Sequence, residues 1–134
     1  MNLMQQLQAQ NNNILAVIMQ ALKENTELCE MLAEGSKSIY HLQSPDAGSY
    51  PILVVSIPSD VPEIQSDNYE TLHKTTIRIH IITEDGATTD IYNKINDIMT
   101  KEIGFNRIQM IEFIEDNLFV KMVDYSQILD VKSI

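Results

Sequence analysis

The side chains best suited to acid–base chemistry are the carboxylates, of which the chain has nineteen. Two pairs stand close in sequence, Glu112 with Glu115 and Asp85 with Asp90. General acid–base catalysis needs such a pair in a shaped, partly dry pocket. Because nothing in the sequence around either pair indicates a pocket, we predict no catalytic residues among the carboxylates.

The single cysteine, Cys29, lies in a helical pattern between Glu27 and Glu30. A nucleophilic thiol needs a nearby base or cation that lowers its pKa, whereas neighbouring carboxylates raise the pKa. The sequence therefore indicates an unreactive, half-buried thiol, which is common for a free cysteine. One cysteine cannot close an internal disulfide, so the chain does not require an oxidising compartment.

The three histidines, His41, His73 and His80, lack the spacing of a zinc site. The four glycines form neither a GxGxxG nor a Walker A motif, which are the usual phosphate-binding loops. The segment Asp85-Gly86 lacks the spaced oxygen ligands of an EF-hand. We therefore predict no metal site and no cofactor, and we do not expect an enzyme.

The charge balance excludes two classes of partner. Nine basic residues stand against nineteen acidic ones, giving a formal net charge of -10. A sequence-independent grip on nucleic acid needs clustered Lys and Arg, and so does attraction to anionic lipid. The longest apolar runs, such as residues 14–19, are far shorter than a bilayer span. With no secretory pattern at the N-terminus, we expect synthesis in the cytoplasm.

The 134 residues have the length of one domain, 1–134. Residues 14–23 have helical spacing, and Asn25 or Thr26 can restart the helix as an N-cap. Residues 1–13, rich in Gln and Asn, either extend this helix or form a flexible arm that ends at an Asn13 cap. Three consecutive Asn residues are poor helix interior, which favours the arm. The inward positions of the helix are Ile14, Val17, Ile18, Ala21 and Leu22.

The middle of the chain has the composition of strands. We predict a short strand at 38–42 and a buried strand at 51–57 that ends at Pro58. Residues 58–69 contain two prolines and several acidic residues, and we predict a long mobile loop there. A strand follows from 69 to about 83, because isoleucines alternate with polar residues at 76–81.

The last part of the chain predicts a helix and a hairpin. Thr88 or Thr89 caps a helix that Gly104 ends. Two strands, 107–115 and 118–129, are joined by the turn Asp116-Asn117. The predicted fold class is therefore α+β: a mainly antiparallel sheet of about four to five strands covered by two principal helices.

The order of these segments includes several local motifs: an N-terminal helix, Ser38-Ile39-Tyr40, a turn at Pro45, and Tyr50-Pro51 opening the apolar strand 52–57. A loop, a strand, a helix and two late strands follow. This series, over roughly residues 13–130, resembles the small tail-completion proteins of long-tailed bacteriophages, also called tail terminators or tail-to-head joining proteins. The ordered series carries the resemblance.

The resemblance implies a structural virion protein, located in the tail, that caps the head-proximal end of the tail tube. It implies a hexameric ring whose partners are further copies of the chain, the tail tube protein and the head connector or stopper protein. DNA would pass through the ring without specific binding, and no membrane, cofactor or catalysis is implied. The alternatives are a head-completion or stopper adaptor of the same virion, and a small ligand-binding or hydrolase domain.

Eight residues are candidates for contacts with these partners. The predicted loop can order on docking, and an acidic strip on the second helix is either a solvated face or a surface that meets a basic neighbour. The loop contributes Asp60, Glu63, Ile64, Asp67 and Tyr69, and the strip contributes Glu27, Glu30 and Glu34.

Overall fold

The structure, a computed structural model, describes residues 14–43, 48–66 and 69–130. Its helices are α1 (Ile14–Glu24), α2 (Thr26–Glu30) and α3 (Thr89–Asp97). Its strands are β1 (Ile39–His41), β2 (Ile52–Ser66), β3 (Tyr69–Thr83), β4 (Asn106–Glu115) and β5 (Leu118–Asp130). A 3₁₀ turn, Gly35–Ser38, precedes β1, and a π-helical segment, Ile98–Ile103, continues α3. The predicted α+β class, with α1 and α3 as the principal helices, is confirmed.

The five strands form one sheet in the order β1-β2-β3-β5-β4. The short β1 pairs with β2 in parallel, and all other neighbours are antiparallel. β1 reaches only the start of β2, where its residues lie opposite Leu53, Val54 and Val55. Among the described residues, the sheet therefore has one edge formed by β1 and residues 58–66 of β2, and another formed by the outer side of β4.

The helices pack on one face of the sheet, which we call the helix face. In α1 the buried positions recur with the helical period, and in the strands they recur with a period of two. Burying one such side chain contributes roughly 1.5–3 kcal/mol relative to leaving it exposed. The cluster contains Ile18 and Leu22 from α1, Ile91 and Ile95 from α3, Leu53 and Val55 from β2, Ile77, Ile79 and Ile81 from β3, and Val123 and Tyr125 from β5.

Local signals explain where the helices begin and end. The side chain of Asn25 accepts a hydrogen bond from the backbone N–H of Leu28 at 2.9 Å, so Asn25 is the N-cap of α2. Thr88 precedes α3, and Gly104 ends its π-helical continuation with a left-handed φ of 94°. The predicted positions of these boundaries are confirmed, but the Thr88 side chain makes no capping hydrogen bond. The predictions for residues 1–13, including the Asn13 cap, lie outside the described residues.

The predicted loop at 58–69 is wrong. Residues 58–66 continue β2, and Tyr69 already belongs to β3, so β2 and β3 are the two arms of a long hairpin. Residues 67 and 68 lie outside the described residues. Pro58 and Pro62 fit because this part of β2 is a sheet edge, where a missing N–H is tolerated. The pairing of β2 with β3 is also irregular between Ser56 and Ser59 and around Pro62.

Candidate interaction surface

The hairpin of β2 and β3 holds four of the eight candidate residues. Asp60 accepts hydrogen bonds from Thr75 Oγ1 at 3.2 Å and from His73 Nδ1, whose separation from Asp60 Oδ1 is 3.1 Å. Its carboxylate is therefore bound to β3 of its own chain. Glu63, Ile64 and Tyr69 lie in the paired strands, and Asp67 lies outside the described residues.

The acidic strip lies on and just after α2. Glu27 Oε2 accepts a hydrogen bond from Lys94 Nζ at 2.6 Å and so ties α2 to α3. This hydrogen bond is the main reason that the pKa of Lys94 is raised. Glu30 and Glu34 are exposed. The strip is thus partly neutralised within the chain, because one of its members already has a basic neighbour.

The most exposed strand of the sheet is β4, all ten of whose residues are solvent-exposed. On its inner side β4 pairs with β5, from Asn106 opposite Ser126 to Glu115 opposite Leu118. On its outer side no strand lies beside it in the described part of the chain. An unpaired edge of this kind offers a row of backbone donors and acceptors to another chain.

Exposed apolar side chains accompany this open edge on both faces of the sheet. Met110 lies opposite Val123 and therefore shares the helix face. Ile111 and Phe113 lie on the other face, because neighbouring residues of a strand alternate. An edge strand with one face in water normally has alternating apolar and polar residues. The exposed apolar residues of β4 are Ile108, Met110, Ile111, Phe113 and Ile114.

A cleft of about 410 Å³ extends this apolar surface beyond β4. Its wall includes Phe113 and Ile114 of β4 and Phe119 of β5. Phe119 packs over Gly86, where a Cβ atom would lie 3.5 Å from the ring. We call β4 together with this cleft the β4 surface.

The two predicted carboxylate pairs lie in different settings. Glu112 and Glu115 of β4 face opposite sides of the sheet, because Glu112 pairs with Lys121 on the helix face and the two are three residues apart. They therefore cannot act together on one substrate. Asp85 and Asp90 line a larger cleft of about 590 Å³, with Glu84. Asp85 Oδ1 accepts a hydrogen bond from the N–H of Ala87 at 3.0 Å, so it also stabilises a turn.

Burial shifts the pKa values of two other candidate reactive groups, Cys29 and His80. The Cys29 thiol is half-buried, donates to the carbonyl of Lys23 at 3.4 Å, and has a pKa raised by burial. The pKa of His80 is lowered, first by burial and then by the charge of Arg78. Among the described residues, no three His, Cys, Asp or Glu side chains are grouped so as to hold a metal ion.

A polar network fixes β4 to the rest of the sheet on the face opposite the helices. Asp124 of β5 accepts hydrogen bonds from Arg78 Nε at 2.9 Å, Arg78 Nη2 at 3.0 Å and Gln109 Nε2 at 2.8 Å. Burial raises the pKa of Asp124, whereas the hydrogen bonds from Arg78 and Gln109 lower it. The lowering effects together outweigh burial, so the pKa of Asp124 lies below the ordinary value. The network joins β3, β5 and β4, and thereby sets the position of the open edge.

The β4 surface was not predicted from the sequence. The available signal was the pair of adjacent apolar residues on each side of Glu112, Met110-Ile111 and Phe113-Ile114, which breaks the alternation of a half-exposed strand. The strand's position at the sheet border was needed to interpret that signal. No helix in the described ranges has the length and apolar character to cross a membrane.

Comparison with known proteins assigns no family. No protein-family model matches the chain, and no curated protein matches it at a significant level.

Proposed function

We propose that this protein is a structural component of a bacteriophage virion that caps the head-proximal end of the tail tube and joins the tail to the head connector. The observation that carries the proposal is the β4 surface, an unpaired strand of ten exposed residues with large apolar side chains on both faces. Such an edge is suited to binding another protein chain, because backbone pairing and side-chain burial act together.

The order of elements also supports this role. Tyr50-Pro51 opens β2, the short β1 precedes it, and α3, β4 and β5 close the domain, as in the series that resembles the tail-completion proteins. In the proposed virion the chain forms a hexameric ring with copies of itself, which requires contacts between different surfaces that close on themselves. The tail tube protein and the head connector or stopper protein are the other proposed partners.

The charge fits a ring around a DNA channel. A net charge of -10 denies DNA the phosphate contacts that would hold it, so DNA would pass without specific binding. Acidic residues such as Glu30 and Glu34 are exposed and available to a channel wall or a basic neighbour. The separation of Glu112 from Glu115 and the raised pKa of the Cys29 thiol favour this structural role over a small hydrolase.

Deletion of the gene from the phage genome tests the proposal. We expect lysates that contain filled heads and separate, unattached tails, because the joining surface is missing. Supplying the wild-type chain from a plasmid should restore infectious particles. Supplying Ile111→Lys, which places a charge on the β4 surface, should restore few, whereas Lys37→Ala on an exposed position away from β4 should restore them fully.

The same preparation separates this role from that of a stopper adaptor. Gold-labelled protein is expected at the upper end of free tails in electron micrographs. Label on tailless heads instead would support the stopper role. Normal assembly of virions without the gene would overturn both roles.

A further inference from the structure

The regular part of β4 is short and has sharp limits. A bulge between Arg107 and Gln109 interrupts its pairing with β5 at one end. At the other end Asp116 and Asn117 turn the chain with positive φ angles of 51° and 66°. Residues 109–115 are therefore the uninterrupted strand that the open edge presents, and Glu112 is its centre.

The pattern of polar and apolar residues in this segment is symmetric about its centre. Glu112 is flanked by apolar Ile111 and Phe113, then by apolar Met110 and Ile114, and the polar Gln109 and Glu115 stand at the ends. A segment that is symmetric in chemical type is complementary to an antiparallel copy of itself. We infer that a second copy of this chain pairs with β4, antiparallel, about a twofold axis that passes through Glu112.

The twofold arrangement matches the side chains on each face. An antiparallel pair of edges is related by an axis perpendicular to the sheet, so each face continues into the same face of the partner. On the helix face Met110 lies opposite Ile114 of the partner subunit. On the other face Ile111 lies opposite the partner's Phe113. Pairs of this kind contribute roughly 0.2–1 kcal/mol each relative to alanine pairs.

The charges around the axis are balanced rather than uniform. Glu112 lies opposite the partner's Glu112, and like charges directly opposite one another weaken a strand pair. Lys121 Nζ lies 3.9 Å from Glu112 Oε2 and 4.9 Å from the centre of the Tyr92 ring. The axis therefore brings together a row of two carboxylates flanked by two ammonium groups. The central repulsion keeps the pair reversible.

The other edge of the sheet, formed by the three-residue β1 and by residues 58–66 of β2, does not compete for this partner. Residues 58–66 of β2 contain Pro58, Pro62 and the charged Asp60, and their pairing with β3 is irregular. Prolines, charges and bulges are the features that protect an edge from added strands. The regular segment 109–115 of β4 contains no proline and no bulge.

A twofold interface ends at two copies, because each copy uses the same surface. The dimer is thus a closed form of the free protein in which the β4 surface is covered, and it must open before β4 can meet another partner. The inference concerns the purified chain alone and does not depend on the proposed role in a phage tail. Failure of one would leave the other unaffected.

Sedimentation equilibrium of the full chain between about 1 μM and about 1 mM, the range of weak and moderate affinities, tests the dimer. We expect wild type to shift from monomer to dimer within this range. Ile111→Lys should raise the dissociation constant about tenfold or more. The twofold axis places the introduced charge opposite the partner's apolar Phe113 twice in each dimer. Glu112→Gln should lower it about threefold, because the like-charge pair disappears.

The matched control is Val61→Lys on the other open edge, since Val61 is 46% exposed and Ile111 43%. Val61→Lys should leave the dissociation constant unchanged. Circular dichroism should show the same fold for all three variants, because the substituted side chains are exposed. A monomeric wild type up to about 1 mM, or equal weakening by Val61→Lys and Ile111→Lys, would overturn the inference.

A cysteine at the axis tests the register directly. In a Cys29→Ser background, Glu112→Cys should form an intermolecular disulfide on mild oxidation, because directly opposite Cα atoms lie about 4.5–5.5 Å apart. Met110→Cys should not cross-link to itself, because the two positions are offset by about 14 Å along the strands. Equal cross-linking of both variants, or of neither, would contradict a twofold axis at Glu112.

Discussion

The two open edges of the sheet differ in nearly every property that governs strand addition. Residues 58–66 of β2 carry two prolines, irregular pairing and Asp60, which is bound to His73 and Thr75. β4 carries large exposed apolar residues and a regular backbone between its bulge and its turn. The difference indicates that the molecule protects one edge and leaves the other available. The available edge is therefore where we place the binding of other chains.

Both edges of the sheet depend on one folded hydrophobic core. Ile95 of α3 is fully buried against the helix face. Ile95→Asp should unfold the domain, because a buried unpaired carboxylate costs several kcal/mol. Thermal unfolding followed by circular dichroism should show no cooperative transition. The control is Asn93→Asp on the exposed side of the same helix, which should unfold like wild type; a cooperative Ile95→Asp protein would show that α3 packs differently.

The position of the available edge depends on Asp124, whose side chain is only 4% exposed. Asp124→Ala should lower the free energy of unfolding by about 2 kcal/mol, because Arg78 and Gln109 lose a shared acceptor. Urea unfolding monitored by circular dichroism measures the loss. Glu84→Ala, which removes an exposed carboxylate, is the control and should change stability by much less.

The same variant has a pH signature. Because the pKa of Asp124 is lowered on folding, its contribution is fully present above the ordinary aspartate pKa and is lost as the pH falls through the lowered value. The stabilities of wild type and Asp124→Ala should therefore begin to converge as the pH falls below about 4, the ordinary aspartate pKa. A constant difference between them at pH 7 and at the lowest pH that permits folding would contradict the ionised state of Asp124.

Substitutions in the protected edge, residues 58–66 of β2, should have the smallest effect on stability but should change how the protein associates. The double variant Pro58→Thr, Asp60→Thr removes a proline and a charge from β2, and it should change the free energy of unfolding by less than about 1 kcal/mol. It should also make this edge able to accept strands. Two accepting edges permit open-ended assembly, so light scattering should rise with concentration far beyond the dimer. The single variant Val61→Thr, which keeps Pro58 and Asp60, should not show this rise.

The sequence predicted the second hairpin better than the first. The turn Asp116-Asn117 is a local signal, and the predicted strands 107–115 and 118–129 agree with β4 and β5 within one residue at each end. Residues 58–69 were wrongly predicted as a loop because Pro58 and Pro62 have the composition of a turn. Whether a proline breaks a strand or sits on its outer edge depends on the neighbouring strand, which the local sequence does not contain.

The candidate site was harder to predict than the fold for the same reason. The acidic strip was expected to be either a solvated face or a surface that meets a basic neighbour. In the structure Glu27 meets Lys94 of its own α3, which is distant in sequence. The apolar residues of β4 resembled those of any buried strand, because exposure is set by strand order. The order places β5 between β3 and β4, and no local pattern encodes that placement.

This strand order has a consequence for synthesis of the chain. β4 leaves the ribosome before β5, yet β5 is the only strand with which β4 pairs in the described fold. Until β5 has emerged, β4 has two open edges and its apolar side chains have no folded surface to join. Unpaired apolar strands of this kind are the segments that chaperones bind and that aggregate when folding is delayed. Changes that slow the addition of β5 should therefore reduce the yield of soluble protein more than they reduce the stability of the folded state.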